Sequence, residues 1–182
     1  MKKVMCARMF FCAVLSVVAA SSLFAQTPSS GMAKELLATW DRAAKDIIDV
    51  AEAMPEGKYD FKPVPEVQTF GEQLAHTITL VQRSVDAAKG VKSEAAQPHK
   101  TMTKAEVVSH LKQTFQAGQE LIASLTDAQV VEQVKPPRGD QMVTRYGFWN
   151  GPLYQVRNHH GQLVVYLRLN GIVPPTTARR PR

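Results

Sequence analysis

The stretch from Tyr154 to Pro175, YQVRNHHGQLVVYLRLNGIVPP, contains the side chains of this sequence that are best suited to chemistry. Two adjacent histidines, His159 and His160, follow Gln155 after one helical turn. Imidazole is the commonest protein ligand for metals, and an amide oxygen is a harder and weaker one for transition metals. These residues indicate a metal site, but nothing in the stretch identifies a substrate.

Other catalytic arrangements are absent from the sequence. It shows no Ser-His-Asp grouping, no phosphate-binding loop and no pair of carboxylates at a suitable spacing. Its two cysteines, Cys6 and Cys12, both lie within the leader described next. The rest of the chain therefore has no disulfide, no thiol nucleophile and no thiolate metal ligand.

Residues 1–25 have the pattern of a secretory signal peptide. Basic residues (Lys2, Lys3 and Arg8) precede an apolar segment, and small residues lead to a predicted cleavage site after Ala25. The apolar segment is too short for a membrane-spanning helix, which needs about 20 residues. We expect a protein exported to the periplasm or secreted, without a membrane span; the alternative is a buried N-terminal helix.

Removal of this leader leaves 157 of the 182 residues, which is enough for one domain with a substantial core. It also removes three positive charges, so that 19 basic residues remain against 16 acidic ones, a net charge of +3. Part of that excess lies in residues 176–182, which we predict to be a disordered basic tail. No basic stripe with interleaved aromatic residues remains, which argues against nucleic-acid binding.

Apolar residues recur at three- and four-residue steps over 32–54 and predict helix one. Three prolines exclude a regular helix over 55–69, but the aromatic residues of this connection predict that it packs against the other helices. Thr69 and Glu72 have the spacing of a capping box, and helix two is predicted over 70–89.

A second capping box, formed by Thr103 and Glu106, predicts the start of helix three, which extends to about Leu125. A short helix is expected within 127–134, and helix four is predicted from Pro152 to Asn170, before Gly171. Four long helices without a strand pattern predict an all-α four-helix bundle. Its connections are long between helices one and two and between helices three and four.

The run RNHHGQLVVYLRLNGIVPP resembles the last helix of the DinB-like (DinB/YfiT) four-helix-bundle family, where H-x-x-H-H-R-G-Q is often followed by YLR and a Gly-Pro ending. EQLAHTI at Glu72 to Ile78 resembles that family's second helix, and Trp40 and the Asp60–Pro65 connection are also similar. The resemblance covers nearly all of the chain after the leader. Residues 26–175 are therefore predicted to form a DinB-like helical bundle domain.

The resemblance implies a divalent metal, often nickel or zinc, held by three histidines. One comes from helix two and two come from an H-x-x-x-H pair on the last helix. In this sequence those positions are His76, Gln155 and His159, so an amide replaces one imidazole. His160 lies about 100° around the helix from His159 and is interpreted as structural. The alternative is that His76 and His159 are hydrogen-bonded residues of the helix interfaces.

Two hypotheses for function follow. In the first, a His/Gln/His metal centre activates water or a thiol, as in the hydrolase-like or thiol-transferase-like enzymes that the resemblance implies. In the second, an exported, non-catalytic bundle with a degenerate metal site binds a small molecule or a protein partner. The second is favoured because of the Gln155 replacement, and Tyr146, Phe148 and Trp149 are expected to shape an apolar pocket near His159. A homodimer is compatible with either hypothesis.

Overall fold

The structure is a computed structural model that describes residues 31–93, 102–136 and 138–179. The predicted signal peptide and Arg180 and Arg182 of the tail lie outside these residues. The elements in order are α1 (Met32–Ala53), a 3₁₀ turn (Glu56–Lys58), α2 (Phe70–Ala88), α3 (Lys104–Ala123), α4 (Asp127–Val130), β1 (Gln133–Val134), β2 (Val143–Thr144), α5 (Arg145–Leu169) and α6 (Pro175–Ala178).

Helices α2 and α3 begin where the sequence predicts, because local hydrogen bonds stabilise their first turns. The Glu72 amide donates to the Thr69 hydroxyl at 3.1 Å, and the Thr69 amide donates to the Glu72 carboxylate at 2.8 Å. Thr103 and Glu106 form the same reciprocal pair at the start of α3. Each capping box satisfies two donors that a helix start would otherwise leave unpaired.

The four long helices form the predicted all-α bundle. The main helix contacts join α1 to α3 and α5, and join α2 to the same two helices. Helices α1 and α2 therefore occupy opposite corners, which requires the long connection between them. No helix in the described ranges is long and apolar enough to cross a membrane.

Trp40 is the centre of the core that α1, α3 and α5 share. Its indole is fully buried, and its Nε1 donates a hydrogen bond to the Phe115 carbonyl at 3.0 Å. The ring centroids of Phe115 and Trp149 lie 5.3 and 5.4 Å from that of Trp40. Gly118, one turn after Phe115, lies directly against the indole, because a side chain there would overlap it.

The connection over 54–69 packs against the bundle, as its aromatic residues predict. Tyr59 is buried, and its hydroxyl donates to the Ala51 carbonyl at 2.8 Å. Its own carbonyl accepts from the Gly71 amide at 2.8 Å, so the connection is tied to the first turn of α2. This anchoring positions α2, which carries His76.

Helix α5 differs from the prediction at its start. It begins at Arg145, with the Thr144 hydroxyl accepting from the Gly147 amide, and not at Pro152. Pro152 lies inside the helix, where it removes one backbone hydrogen bond of the ladder. Tyr146, Phe148 and Trp149 therefore belong to the first turns of α5 and not to a preceding loop. Burial of Phe148 and Trp149 offsets the unfavourable proline position.

Two further features were not predicted. Strands β1 and β2 form a two-residue antiparallel ladder, with Gln133 opposite Thr144.

The tail prediction was wrong for residues 176–179, because α6 lies against α1 and Arg179 forms ion pairs with Asp46 and Asp49. These contacts order the segment that charge and proline content alone had marked as disordered.

Candidate functional site

His76 and His159 lie together between α2 and α5. Their ring centroids are 5.0 Å apart and the ring planes meet at 77°. His159 is buried, with 8% of its surface exposed, and His76 is half-buried. The packing of α2 against α5 therefore brings together two of the three residues of the predicted metal site.

Gln73, which is not among the predicted site residues, orients His159. The Nδ1 atom of His159 lies 2.6 Å from the amide oxygen of Gln73. Because an amide oxygen only accepts, Nδ1 carries the proton, and the lone pair of the neutral ring is on Nε2. Gln73 is itself buried, one turn before His76 on the same helix. A polar residue at that spacing from a candidate ligand was the available signal.

The hydrogen-bond chain continues from Gln73 to Tyr166 on α5. The Tyr166 hydroxyl donates to the Gln68 carbonyl at 2.7 Å and also bonds to the Gln73 side chain. Since that hydroxyl hydrogen is already used, the Gln73 amide group is the donor to Tyr166. Donor and acceptor are therefore assigned for each of these hydrogen bonds, from His159 through Gln73 and Tyr166 to the Gln68 carbonyl. Together they hold the ring of His159 in one orientation.

The surroundings of both imidazoles favour the neutral form. Burial lowers the pKa of His76 below its ordinary value, and the positive charges of Arg83 and Arg138 lower it further. Burial also lowers the pKa of His159, with a smaller contribution from His76. Neutral imidazole is the form that binds a metal ion, so the electrostatic environment is compatible with coordination.

Gln155, the third predicted ligand, is half-buried on α5, one turn before His159. It lines a cavity of about 680 Å³ between α2, α5 and the segment that joins α4 to α5. On α2, Leu80 lines the same cavity one turn after His76. The cavity therefore lies one helical turn, about 5.4 Å, from the histidine pair along both helices.

The cavity walls are mostly apolar, and its polar groups are few. Phe148, which the sequence analysis placed near such a pocket, does line the cavity. Trp149 packs on Trp40 in the core, and Tyr146 is 39% exposed. The lining residues are Leu80, Arg83, Ser84, Ala87, Val91, Ser93, Pro136, Arg138, Val143, Gly147, Phe148, Gly151, Pro152 and Gln155.

His160 belongs to a different environment. The structure buries His159 and leaves His160 half-buried on a different side of α5. Its Nε2 atom is buried without a hydrogen-bond partner in the described part of the chain. Burial lowers its pKa, Asp46 opposes that effect and Arg179 adds to it. His160 therefore belongs to the interface with α1 and the C-terminal segment.

The residues present fit a divalent transition metal in part. Two imidazoles on one tetrahedral zinc ion would have ring centroids roughly 5 Å apart, given Zn–N bonds of about 2 Å, and the observed separation is 5.0 Å. Within residues 31–93, 102–136 and 138–179, no group of three His, Cys, Asp or Glu side chains could hold an ion. The third predicted ligand, Gln155, would contribute an amide oxygen, which is a weaker ligand than imidazole for nickel or zinc.

Comparison with known proteins identifies the fold. Residues 39–163 match the family model described as the DinB superfamily. A DinB-like protein from Bacillus cereus ATCC 10987 superposes with a TM-score of 0.63 at 15% identity, covering 77% of this chain and 93% of that one. The DinB-like protein YjoA from Bacillus subtilis gives 0.60 at 18% identity, covering 75% and 92%. A conserved protein from Enterococcus faecalis gives 0.60 at 15%, covering 78% and 98%. No curated protein matched the sequence.

Proposed function

This chain belongs to the DinB superfamily, and we propose that it is a binding protein that takes up a small molecule in the cavity between α2 and α5. The observation that supports this proposal is the cavity itself, whose volume of about 680 Å³ falls in the range of ligand-binding pockets. Its walls combine apolar side chains with a few polar groups, which is the usual composition of such sites.

Export is part of the proposal. It is supported by the basic residues, apolar segment and small residues of 1–25. An exported protein of this kind would meet its ligand in the periplasm or outside the cell.

Gly151 offers a direct test, because it lines the cavity and an added Cβ would meet no atom within 4 Å. The variant Gly151→Leu should fold, since leucine is a better helix former than glycine, while its side chain occupies cavity volume. We expect binding of the neutral fluorophore N-phenylnaphthylamine to weaken at least about tenfold, the equivalent of about 1.4 kcal/mol. Fluorescence titration measures this change.

Gly161→Leu is the matched control. Gly161 lies in the same helix, also has open space around its Cβ position and does not line the cavity. Binding should therefore equal that of the unmodified protein. Equal binding by both variants, or no binding by the unmodified protein, would contradict the proposed function.

A metal-dependent enzyme is the second candidate, and the His76–His159 pair with its Gln73 hydrogen bond favours it. When bound, a nickel or zinc ion would supply Lewis-acid activation of water or a thiol. In this candidate His76, His159 and Gln155 are the ligands. The chain's own contributions are the proton that Gln73 holds on Nδ1 of His159 and the low-polarity cavity one turn away.

Metal content tests this candidate. In protein purified without a histidine tag, we expect one equivalent of nickel or zinc that is lost in His159→Ala and retained in His110→Ala. His110 is exposed on α3, so its replacement controls for a general effect of removing a histidine. Protein that contains no metal, and whose melting temperature stays the same when either ion is added, would exclude the candidate, since a bound ion stabilises the folded state.

A further inference from the structure

Among the residues that the structure describes, no carboxylate neutralises the positive charge beside the cavity. Arg83 on α2 and Arg138 in the segment before α5 both line it, and none of its described lining residues is acidic. Within the described ranges, neither guanidinium forms an ion pair with Asp or Glu. Both guanidinium groups line the same cavity, which places two positive charges beside one site.

Unpaired arginines beside a cavity are suited to an anionic ligand. Guanidinium forms paired hydrogen bonds with carboxylates, and such charge-assisted bonds are stronger than neutral ones. Two like charges at one site also repel each other, and an anion bound between them would relieve that repulsion. The Gln155 amide is a further hydrogen-bonding group on the same wall.

The remaining surface of the cavity favours an apolar body on that anion. Leu80, Val91, Val143 and Phe148 come from three different parts of the chain and line the space with carbon atoms. A ligand with only polar groups would leave these walls without favourable contacts. The size of the cavity admits a drug-sized or medium-chain molecule.

We propose that the ligand of this cavity is a soluble monocarboxylate with an apolar body, whose carboxylate binds to Arg83 and Arg138. This inference rests on the proposed function, because it names the ligand class of the same cavity. The carboxylate lies at the arginine end of the site, and the apolar body contacts the wall formed by Leu80 and Phe148.

Three ligands with the same ten-carbon chain test the inference: decanoate, decanol and decylamine, with decanol below its solubility limit and the two charged ligands below their critical micelle concentrations. Their ability to displace N-phenylnaphthylamine is measured by fluorescence. Decanoate should bind about tenfold more tightly than decanol, and decylamine should bind most weakly, because charge-assisted hydrogen bonds are available only to the anion. Decanol binding as tightly as decanoate overturns the inference, while binding of the fluorophore leaves the proposed function intact.

Arginine variants locate the anion. Arg83→Gln and Arg138→Gln should each weaken decanoate binding about tenfold without changing decanol binding. Arg157→Gln is the control, because Arg157 is exposed on α5 and does not line the cavity. Equal decanoate affinity in the Arg83 and Arg157 variants would overturn the assignment, as would full decanoate affinity in Gly151→Leu.

A lipid headgroup is the other source of an anion on an apolar body. Vesicles of phosphatidylglycerol provide that comparison in a sedimentation experiment. The inference expects no cosedimentation that depends on Arg83. Binding to vesicles that Arg83→Gln abolishes, without displacement of the fluorophore by decanoate, would overturn the proposal of a soluble ligand.

Discussion

Replacing Gly118 with alanine is expected to lower the stability of the protein, although alanine is the better helix former. A Cβ at this position would lie 2.2 Å from Cζ2 of Trp40, far inside van der Waals contact. The indole cannot move away easily, because it is fully buried and its Nε1 is bonded to the Phe115 carbonyl. Overpacking of a tight core costs about 1–3 kcal/mol.

The helical gain from glycine to alanine is about 1 kcal/mol and opposes this cost only in part. Each kcal/mol corresponds to about 2–4 °C in melting temperature for a domain of this size. Thermal unfolding followed by circular dichroism measures the change, and the near-ultraviolet signal of Trp40 reports whether the indole has moved.

Gly161→Ala serves as the control for Gly118→Ala. Its Cβ meets no atom within 4 Å, so only the helix propensity changes. We expect stabilisation by about 0.5–1 kcal/mol, opposite in sign to the effect at Gly118. A Gly118→Ala protein that melts at or above the temperature of the unmodified protein would show that Trp40 does not confine this position.

Acidification below about pH 6.5 is expected to destabilise the metal-free protein through its buried histidines. Burial is the main cause of the lowered pKa of His76, His159 and His160. In the unfolded chain these groups titrate near the ordinary value, so between the folded and unfolded pKa the unfolded state binds more protons. Their stabilisation is complete above the unfolded pKa and is lost as the pH falls toward the folded pKa.

The slope is at most about 1.4 kcal/mol per pH unit for one histidine in that window. Partial exposure of His76 and His160 reduces their share. Urea unfolding in the presence of a chelator, between about pH 7.5 and 5.5, measures the effect. His159→Gln removes one titrating group while keeping a side chain that can bond to Gln73, so its slope should be smaller.

The corresponding control is His110→Gln, because His110 is exposed on α3. The slope of this variant is the reference for the effect of replacing a histidine with glutamine elsewhere in the protein. If His159→Gln and the unmodified protein lose stability equally over this window, protonation of His159 does not contribute to acid destabilisation.

The sequence predicts the bundle well where local physics decides the structure. The capping boxes of α2 and α3 are complete within four residues, and the apolar stripes are periodic along each helix. The predicted start of α5 at Pro152 is wrong. Proline is favoured in the first turn of a helix, and its position therefore suggested a helix start there. Contacts distant in sequence, those of Trp149 with Trp40, favour a helix that begins before the proline.

The residues of the candidate site were likewise predicted only in part. His76, Gln155 and His159 were identified from the resemblance, and their roles as metal ligands stay a prediction. Gln73 was missed, because its bond to His159 joins residues 86 positions apart, and a polar residue one turn before His76 does not by itself specify that partner. The ordered contacts of Arg179 were missed for the same reason, since its carboxylate partners lie on α1.

By itself, the sequence determined the helical class and the ends of most long helices. These properties depend on interactions within a few residues, which composition and spacing express directly. The tertiary structure decided which histidine is buried, which amide orients it and which arginines meet at the cavity. These properties depend on how α2 and α5 pack, and that packing minimises the free energy of the whole core and not of any single segment.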